Sequence, residues 1–235
     1  MLKQNSNRSF QLIKVLSDFI FPPVCACCGT LLASSTDVIC SRCVQSRFEP
    51  DIDTDTDVLP HFIIQKYALW RFDKQGYLQD LLHKLKYERL TGIGFQLGRE
   101  IGKSMSSAQF FPVAFTEENS VLVPVPLYRR KLRKRGYNQA RVIANGISDV
   151  ISVPVVAEGA VNREKNTTTQ TGLNSEERIR NLERAFRVKQ PELLQGKIPV
   201  IVDDVYTTGA TTFELAAELF RCSGERSAIV TISRT

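Results

Sequence analysis

The sequence predicts an α/β fold, a mostly parallel sheet flanked by helices, preceded by a small cysteine-rich module. Three observations point there. From Gln65 onward, short β-branched apolar runs alternate with helical apolar stripes, the pattern of strands covered by helices on both faces. Residues 199–212 read as a buried strand that ends on two carboxylates and passes through a Thr- and Gly-rich loop into a helix. Ahead of both, four of the six cysteines fall as two Cys-x-x-Cys pairs.

The N-terminal part comes first. Leu12, Leu16, Phe19 and Ile20 fit one face of a short amphipathic helix over residues 1–20. Lys14 and Asp18 interrupt the apolar stretch, which argues against a secretory signal. No run approaches the roughly 20 apolar residues that span a bilayer. That helix is expected to dock on the protein, membrane contact being the weaker reading. The chain is read as cytoplasmic.

Residues 21–50 hold Cys25, Cys28, Cys40 and Cys43. Each Cys-x-x-Cys turn presents two thiolates, and two turns complete a tetrahedral structural zinc site with no open position. Gly29 suits the tight knuckle after Cys28. A cytosolic setting disfavours disulfides. Cys27 could compete as a ligand but lacks the pair spacing, and Cys222 reads as a small core residue. The acidic run Asp51, Asp53, Asp55 and Asp57 reads as a solvated linker over 51–64, and the other ligands of a calcium loop are absent.

Residues 65–235 form the α/β body. Strands are expected at Lys66–Phe72, Val121–Val123, Val153–Val156, Val200–Asp204 and Ser227–Ile232. Helices are expected over Gly76–Tyr87 and Asn138–Val150, around Leu97 and Ile101 beyond a break at Gly92 and Gly94, and after the Thr/Gly loop to about Ser223. Thr211 with Glu214, and Asn174 with Glu177, make candidate capping boxes.

Charge is unevenly placed. Residues 1–60 carry five Lys/Arg against seven Asp/Glu, so with a total of +6 the remainder holds +8. Six cations crowd into Arg129–Arg135, just past a strand end and before Tyr137. A charge run is usually a solvated face. Here Arg129, Arg130, Arg133 and Arg135 would share a crevice with the acidic loop, suiting a pyrophosphate or a nucleic-acid backbone; with Tyr128 and Tyr137 alongside, single-stranded DNA also fits. Arg163, Lys165, Thr167 and Gln170 mark a polar loop that either closes over a ligand or merely connects elements.

The acidic loop is the most specific signal. Open α/β sheets bind ligands at strand C-termini, and helix N-termini offer free N–H groups to phosphate. Asp203 and Asp204 suit hydroxyl groups or a hydrated Mg²⁺, while Thr207, Thr208, Gly209, Ala210 and Thr211 suit a phosphate. A sugar phosphate has both. A lone Asp-Asp would read as solvated, but strand, acids, loop and helix agree here. The segment resembles the phosphoribosyl pyrophosphate (PRPP) signature of type I phosphoribosyltransferases. The resemblance implies acids on the ribose hydroxyls and a loop around the 5-phosphate.

With the Phe-Pro-Pro at 21–23, the paired cysteines, Leu85-Lys86-Tyr87, Val-Pro-Val-Pro at 123–126, Arg135-Gly-Tyr-Asn-Gln139 and the Arg163–Phe186 stretch, the chain resembles the ComF family from about residue 20 onward. The resemblance implies a four-cysteine zinc module on a type I phosphoribosyltransferase-like domain. It also implies a role in natural competence, importing transforming single-stranded DNA beside a helicase-like partner. Such a protein would be cytoplasmic, or peripheral at the inner face of the membrane through partners. Relatives also carry gluconate-utilisation and amidophosphoribosyltransferase labels. The departures are Cys27, and Tyr206 where the family often has a small aliphatic residue. The alternative is an active Mg²⁺-dependent phosphoribosyltransferase with an unidentified acceptor. Turnover and homo-oligomer formation stay open.

Overall fold

The computed structural model describes residues 22–34, 36–52, 58–107, 114–165 and 185–235. The expected helix over 1–20, Thr167, Gln170 and the Asn174/Glu177 capping box lie outside the described residues. The chain divides into two compact units, Met1–Phe48 and Glu49–Thr235.

In the first unit, Val24 and Leu31 form an antiparallel bridge around the first cysteine pair. Gly29 closes that knuckle at a φ of 73° and donates its N–H to the Cys25 carbonyl. The second pair opens the short helix α1 (Ser41–Ser46), with Cys40 as its N-cap. Among the unit's described residues, Cys25, Ile39, Cys43 and Phe48 are the buried apolar side chains.

The second unit is built on β1 (Ile63–Arg71), β2 (Ser120–Pro124), β5 (Ile198–Tyr206) and β6 (Ser227–Arg234). They form one sheet in the order β1-β6-β5-β2, with every pairing parallel. Val200, Ile201 and Val202 on β5 and Ala228 to Val230 on β6 are fully buried, as strands covered on both faces require. Helices α2 (Tyr77–Tyr87), α3 (Thr91–Met105), α5 (Gln139–Ile151) and α6 (Ala210–Ser223) flank the sheet, and α4 (Arg129–Arg135) follows β2. A two-stranded antiparallel pair, β3 (Val161–Arg163) with β4 (Phe186–Val188), stands apart from the main sheet.

Several expectations need correction. The Val153–Val156 strand reduces to a single bridge between Val155 and Leu122, where Pro154 has no N–H to extend a ladder. Gly92 and Gly94 do not break a helix; both lie inside α3. Gly94, Gly98 and Gly102 instead form a small-residue stripe. A Cβ on Gly98 would come within 2.2 Å of the Ile143 carbonyl oxygen, and one on Gly146 of α5 within 2.1 Å of the Phe95 carbonyl oxygen. These glycines let α3 and α5 cross backbone to backbone. The Thr211/Glu214 capping box is not made. Gly209 is the N-cap of α6, and Glu214 accepts the Ala185 N–H at 2.7 Å. Cys222 is half-buried with its thiol 3.7 Å from a Glu218 carboxylate oxygen, at the edge of the core.

The acidic run is also not all solvated linker. Residues 49–51 lie along β1, with Asp51 N–H donating to the Leu69 carbonyl and Arg71 N–H to that of Glu49. The Asp51 side chain is 3% exposed and pairs with Arg234 at 3.0 Å. Asp53, Asp55 and Asp57 lie outside the described residues. Among the described residues, no helix is long and apolar enough to cross a membrane.

Candidate ribose-phosphate site and cysteine cluster

Strand β5 carries the two acids to the C-terminal end of the sheet, and the chain turns at once into α6. Gly209 takes a φ of 74°, and a Cβ there would meet the Tyr206 hydroxyl at 2.5 Å and the Phe213 ring at 2.8 Å. Only glycine fits that turn. Thr212 Oγ1 donates to the Gly209 carbonyl at 3.0 Å, and the first turn of α6 carries no acidic side chain. Thr207, Thr208 and Ala210 are exposed. The result is an open depression bordered by Asp203, Val205 and residues 206–212, with a helix N-terminus at its floor. Its concave side suits an anion.

The two acids are not equivalent. Asp204 is 5% exposed. Its Oδ1 accepts from Gln139 Nε2 at 3.2 Å, and its Oδ2 forms an ion pair with Lys86 Nζ. Burial alone would disfavour its charge, but Lys86, the neighbouring Asp203 and Gln139 together hold its carboxyl below the usual range. Asp203 borders the depression and accepts its neighbour's N–H at 2.9 Å. Burial, then the charge of Asp204, pushes its carboxyl well above the usual range. The pair therefore holds one proton more readily than two isolated carboxylates would. A ligand hydroxyl or a cation can take that proton's place.

The basic run forms helix α4, whose Leu132 is half-buried and whose C-terminus stops at Gly136 with φ 86°. Arg129, Arg130, Lys131, Arg133 and Lys134 are exposed, and among the described residues none of them makes an ion pair. Arg135 behaves differently. Its guanidinium donates to Gln139 Oε1, so a chain Arg135–Gln139–Asp204 runs from the basic helix to the acid pair. Asn138 caps α5 by accepting the Ala140 N–H at 3.1 Å, and its amide donates to the Val125 carbonyl at 3.0 Å. The Arg-Gly-Tyr-Asn-Gln segment is thereby fixed against the end of β2. Tyr128 and Tyr137 are half-buried rather than exposed.

Arg163 lies on β3, not on a free loop. Tyr128 pairs with it in a parallel bridge, and its guanidinium sits 5.4 Å from the Phe186 ring. Burial lowers its pKa against the opposing pull of Glu214 and Asp203. Lys165 follows β3 in the chain.

Lys86 and Gln139 are partners of Asp204 that sequence reasoning did not select. Lys86 and Gln139 sat inside family-like motifs without a role, and their meeting at Asp204 depends on tertiary packing.

In the first unit, the sulfurs of Cys25, Cys28, Cys40 and Cys43 all lie within 4.8 Å of one another. The Cys28–Cys40 separation is 3.8 Å, matching the edge of a tetrahedron with zinc–sulfur bonds of about 2.3 Å. Cys40 N–H donates to Cys25 Sγ at 3.2 Å, as knuckle amides do toward a metal-bound thiolate. Thr30, whose Oγ1 is 3.3 Å from Cys28 Sγ, is the main cause, with Cys43 and Cys25, of the lowering of that thiol's pKa to about 6. Cys27 is half-buried beside Cys43, and burial raises its pKa. It is not one of the four. The cluster could hold a metal ion.

No family model matches the chain. It is 36% identical over 144 residues to the DNA utilization protein YhgH of Escherichia coli K12. That alignment covers 61% of this chain and spans 61% of the relative's length. It is 28% identical over 214 residues to Competence protein F of Haemophilus influenzae, covering 90% of this chain and 85% of that one. It is 27% identical over 212 residues to Competence protein ComFC of Bacillus subtilis, covering 89% and 81%. Among solved structures, the allosteric regulatory enzyme of purine biosynthesis matches 59% of this chain and 26% of its own, at 18% identity and a TM-score of 0.37.

Proposed function

We propose that this chain, a member of the ComF family, binds PRPP or a related ribose phosphate and handles single-stranded DNA in natural competence. The observation that carries the reading is the hydrogen-bonded chain Arg135–Gln139–Asp204. It joins a helix rich in exposed cations to an acid pair beside a phosphate-suited helix N-terminus, at one end of one sheet. Loop residues Thr207–Thr211 would take the 5-phosphate, and Asp203 with Asp204 the ribose hydroxyls. Mg²⁺ would neutralise the pyrophosphate as it binds. Arg129, Arg130 and Arg133 would follow a nucleic-acid backbone. The four clustered cysteines fit structural zinc by donor type and spacing. The relatives' names, competence and DNA utilization, support the same purpose.

The test is a pair of titrations on the full chain. PRPP should bind in the presence of Mg²⁺ and lose affinity in Asp203→Ala. Labelled oligo(dT) should bind with strong salt dependence, which Arg130→Gln with Arg133→Gln should flatten. Wild-type protein that binds neither ligand sinks the reading. Pyrophosphate release in the presence of an acceptor would identify the enzyme reading instead.

A further inference from the structure

The exposed aromatic beside the basic helix is not Tyr128 or Tyr137 but Tyr87. It is the last residue of α2, 65% exposed, on the face away from the buried stripe of Leu78, Leu81, Leu82 and Leu85. Its ring meets one cation and a second ring. Arg135 Cζ sits 5.7 Å from its centroid, and the His83 ring lies 4.7 Å away at 42°. The segment after Tyr87 lies against the end of α4. Arg89, exposed with a φ of 60°, brings its guanidinium within 3.8 Å of where a Gly136 Cβ would stand. Of the nearby carboxylates, Asp80 pairs with Lys84 at 2.8 Å and Glu88 lies 4.0 Å from His83.

We infer that Tyr87 is a base-stacking platform for single-stranded nucleic acid whose phosphates follow the cations of α4. The inference rests on the nucleic-acid reading above and adds what that reading lacks, a surface that tells single strands from duplex. The exposed cations of α4 attract any polyanion. An open aromatic face gains energy only from a base whose own face is free, and in a duplex those faces are already stacked. An ordinary surface cation–π pair would explain Arg135 over Tyr87. It does not explain why the ring stays largely in water while a guanidinium and a histidine ring lie against it. Arg135 has a double attachment, to the Tyr87 ring and through Gln139 to Asp204, so the platform is fixed to the frame of the acid pair.

The experiment is fluorescence anisotropy on the full chain with labelled oligo(dT) and a matched duplex across a salt series. Tyr87→Ala should weaken oligo(dT) binding by about 5- to 150-fold, the range for one stacked base. Tyr87→Trp should retain affinity. Because Trp70 is 5% exposed, the new indole should report stacking as quenched emission. The slope of affinity against salt should stay unchanged in both variants, since no phosphate contact is removed. Wild-type binding that Tyr87→Ala leaves intact overturns the platform while leaving the nucleic-acid reading standing. An equal loss on duplex and single strand also overturns it. Wild-type protein that binds no oligonucleotide at all overturns both.

Discussion

Lys86 Nζ forms an ion pair with Asp204 Oδ2, linking the end of α2 to the acidic end of β5. The carboxylate side chain is 8% exposed and the lysine 26%. A buried acid in such a position is tolerable only while its partner is present. Lys86→Met should therefore destabilise the fold by about 2–3 kcal/mol, somewhat below the fully buried range because the lysine keeps some contact with water. Asp204 titrates below its usual value when folded, so the pair's stabilisation is present above about pH 4 and lost as pH falls through the lowered value. The Lys86→Met penalty should shrink in acid, and Asp204→Asn in the same chain should recover much of it. A penalty independent of pH would show that the lysine acts through its aliphatic packing.

Asp203 predicts the opposite sign. Its carboxyl is raised well above 3.8 by burial and by Asp204, so the folded state binds more protons than the unfolded state in that window. Stability falls as pH rises from about 3.8 through the raised value. Asp203→Asn should raise the melting temperature at neutral pH, with the gain vanishing near pH 4, while removing ligand affinity. A side chain that costs stability where it is needed for binding is the usual mark of a site. Thermal melts across pH, beside PRPP titrations, check both halves.

Much of this was readable before folding was considered. The apolar β-branched runs located β5 and β6, and strand–acids–loop–helix order located the depression, because each depends on contiguous residues. Lys86 depends on how α2 packs against β5, and nothing local to Leu85-Lys86-Tyr87 says so. The Arg129–Arg135 run was visible as charge but not as helix, though Arg, Lys and Leu are good helix formers and Gly136 is a natural stop. Gly94, Gly98 and Gly102 were visible as glycines, but spacing of four within a helix signals a close neighbour rather than a break. Residues 161–163 and 186–188 pair across a wide sequence gap in only three positions each, too few to show a period.

The glycine crossing can be tested directly. Gly98→Ala places a methyl where the Ile143 carbonyl leaves 2.2 Å, and Gly146→Ala does the same against the Phe95 carbonyl at 2.1 Å. The obstructing atoms are backbone, so no side chain can rotate away and the helices must separate. Each variant should lose about 1–3 kcal/mol despite alanine's better helix propensity. The change should also disturb Gln139 and Asn138 at the head of α5, weakening ligand binding more than stability alone explains. Denaturant unfolding with parallel titration separates the two effects. A stabilised Gly98→Ala would mean that α3 and α5 pack with more space than this geometry allows.

The cysteine cluster makes a stoichiometric prediction. Four thiolates within 4.8 Å, with Cys28 and Cys40 at tetrahedral spacing, should hold one zinc per chain as purified. Cys40→Ser and Cys43→Ser should each lose the metal, whereas Cys27→Ser should keep it, because Cys27 is outside the four. Among the described residues of that unit, the buried apolar side chains are Cys25, Ile39, Cys43 and Phe48, two of them proposed ligands. Chelation should consequently unfold that unit, since binding energy in so small a module is folding energy. The separate core of Glu49–Thr235 should keep its own cooperative melt. Metal analysis, a thiol titration before and after chelation, and limited proteolysis would follow these events. Full retention of zinc in Cys40→Ser, with loss in Cys27→Ser, would move the ligand assignment to the cysteine inside the first knuckle.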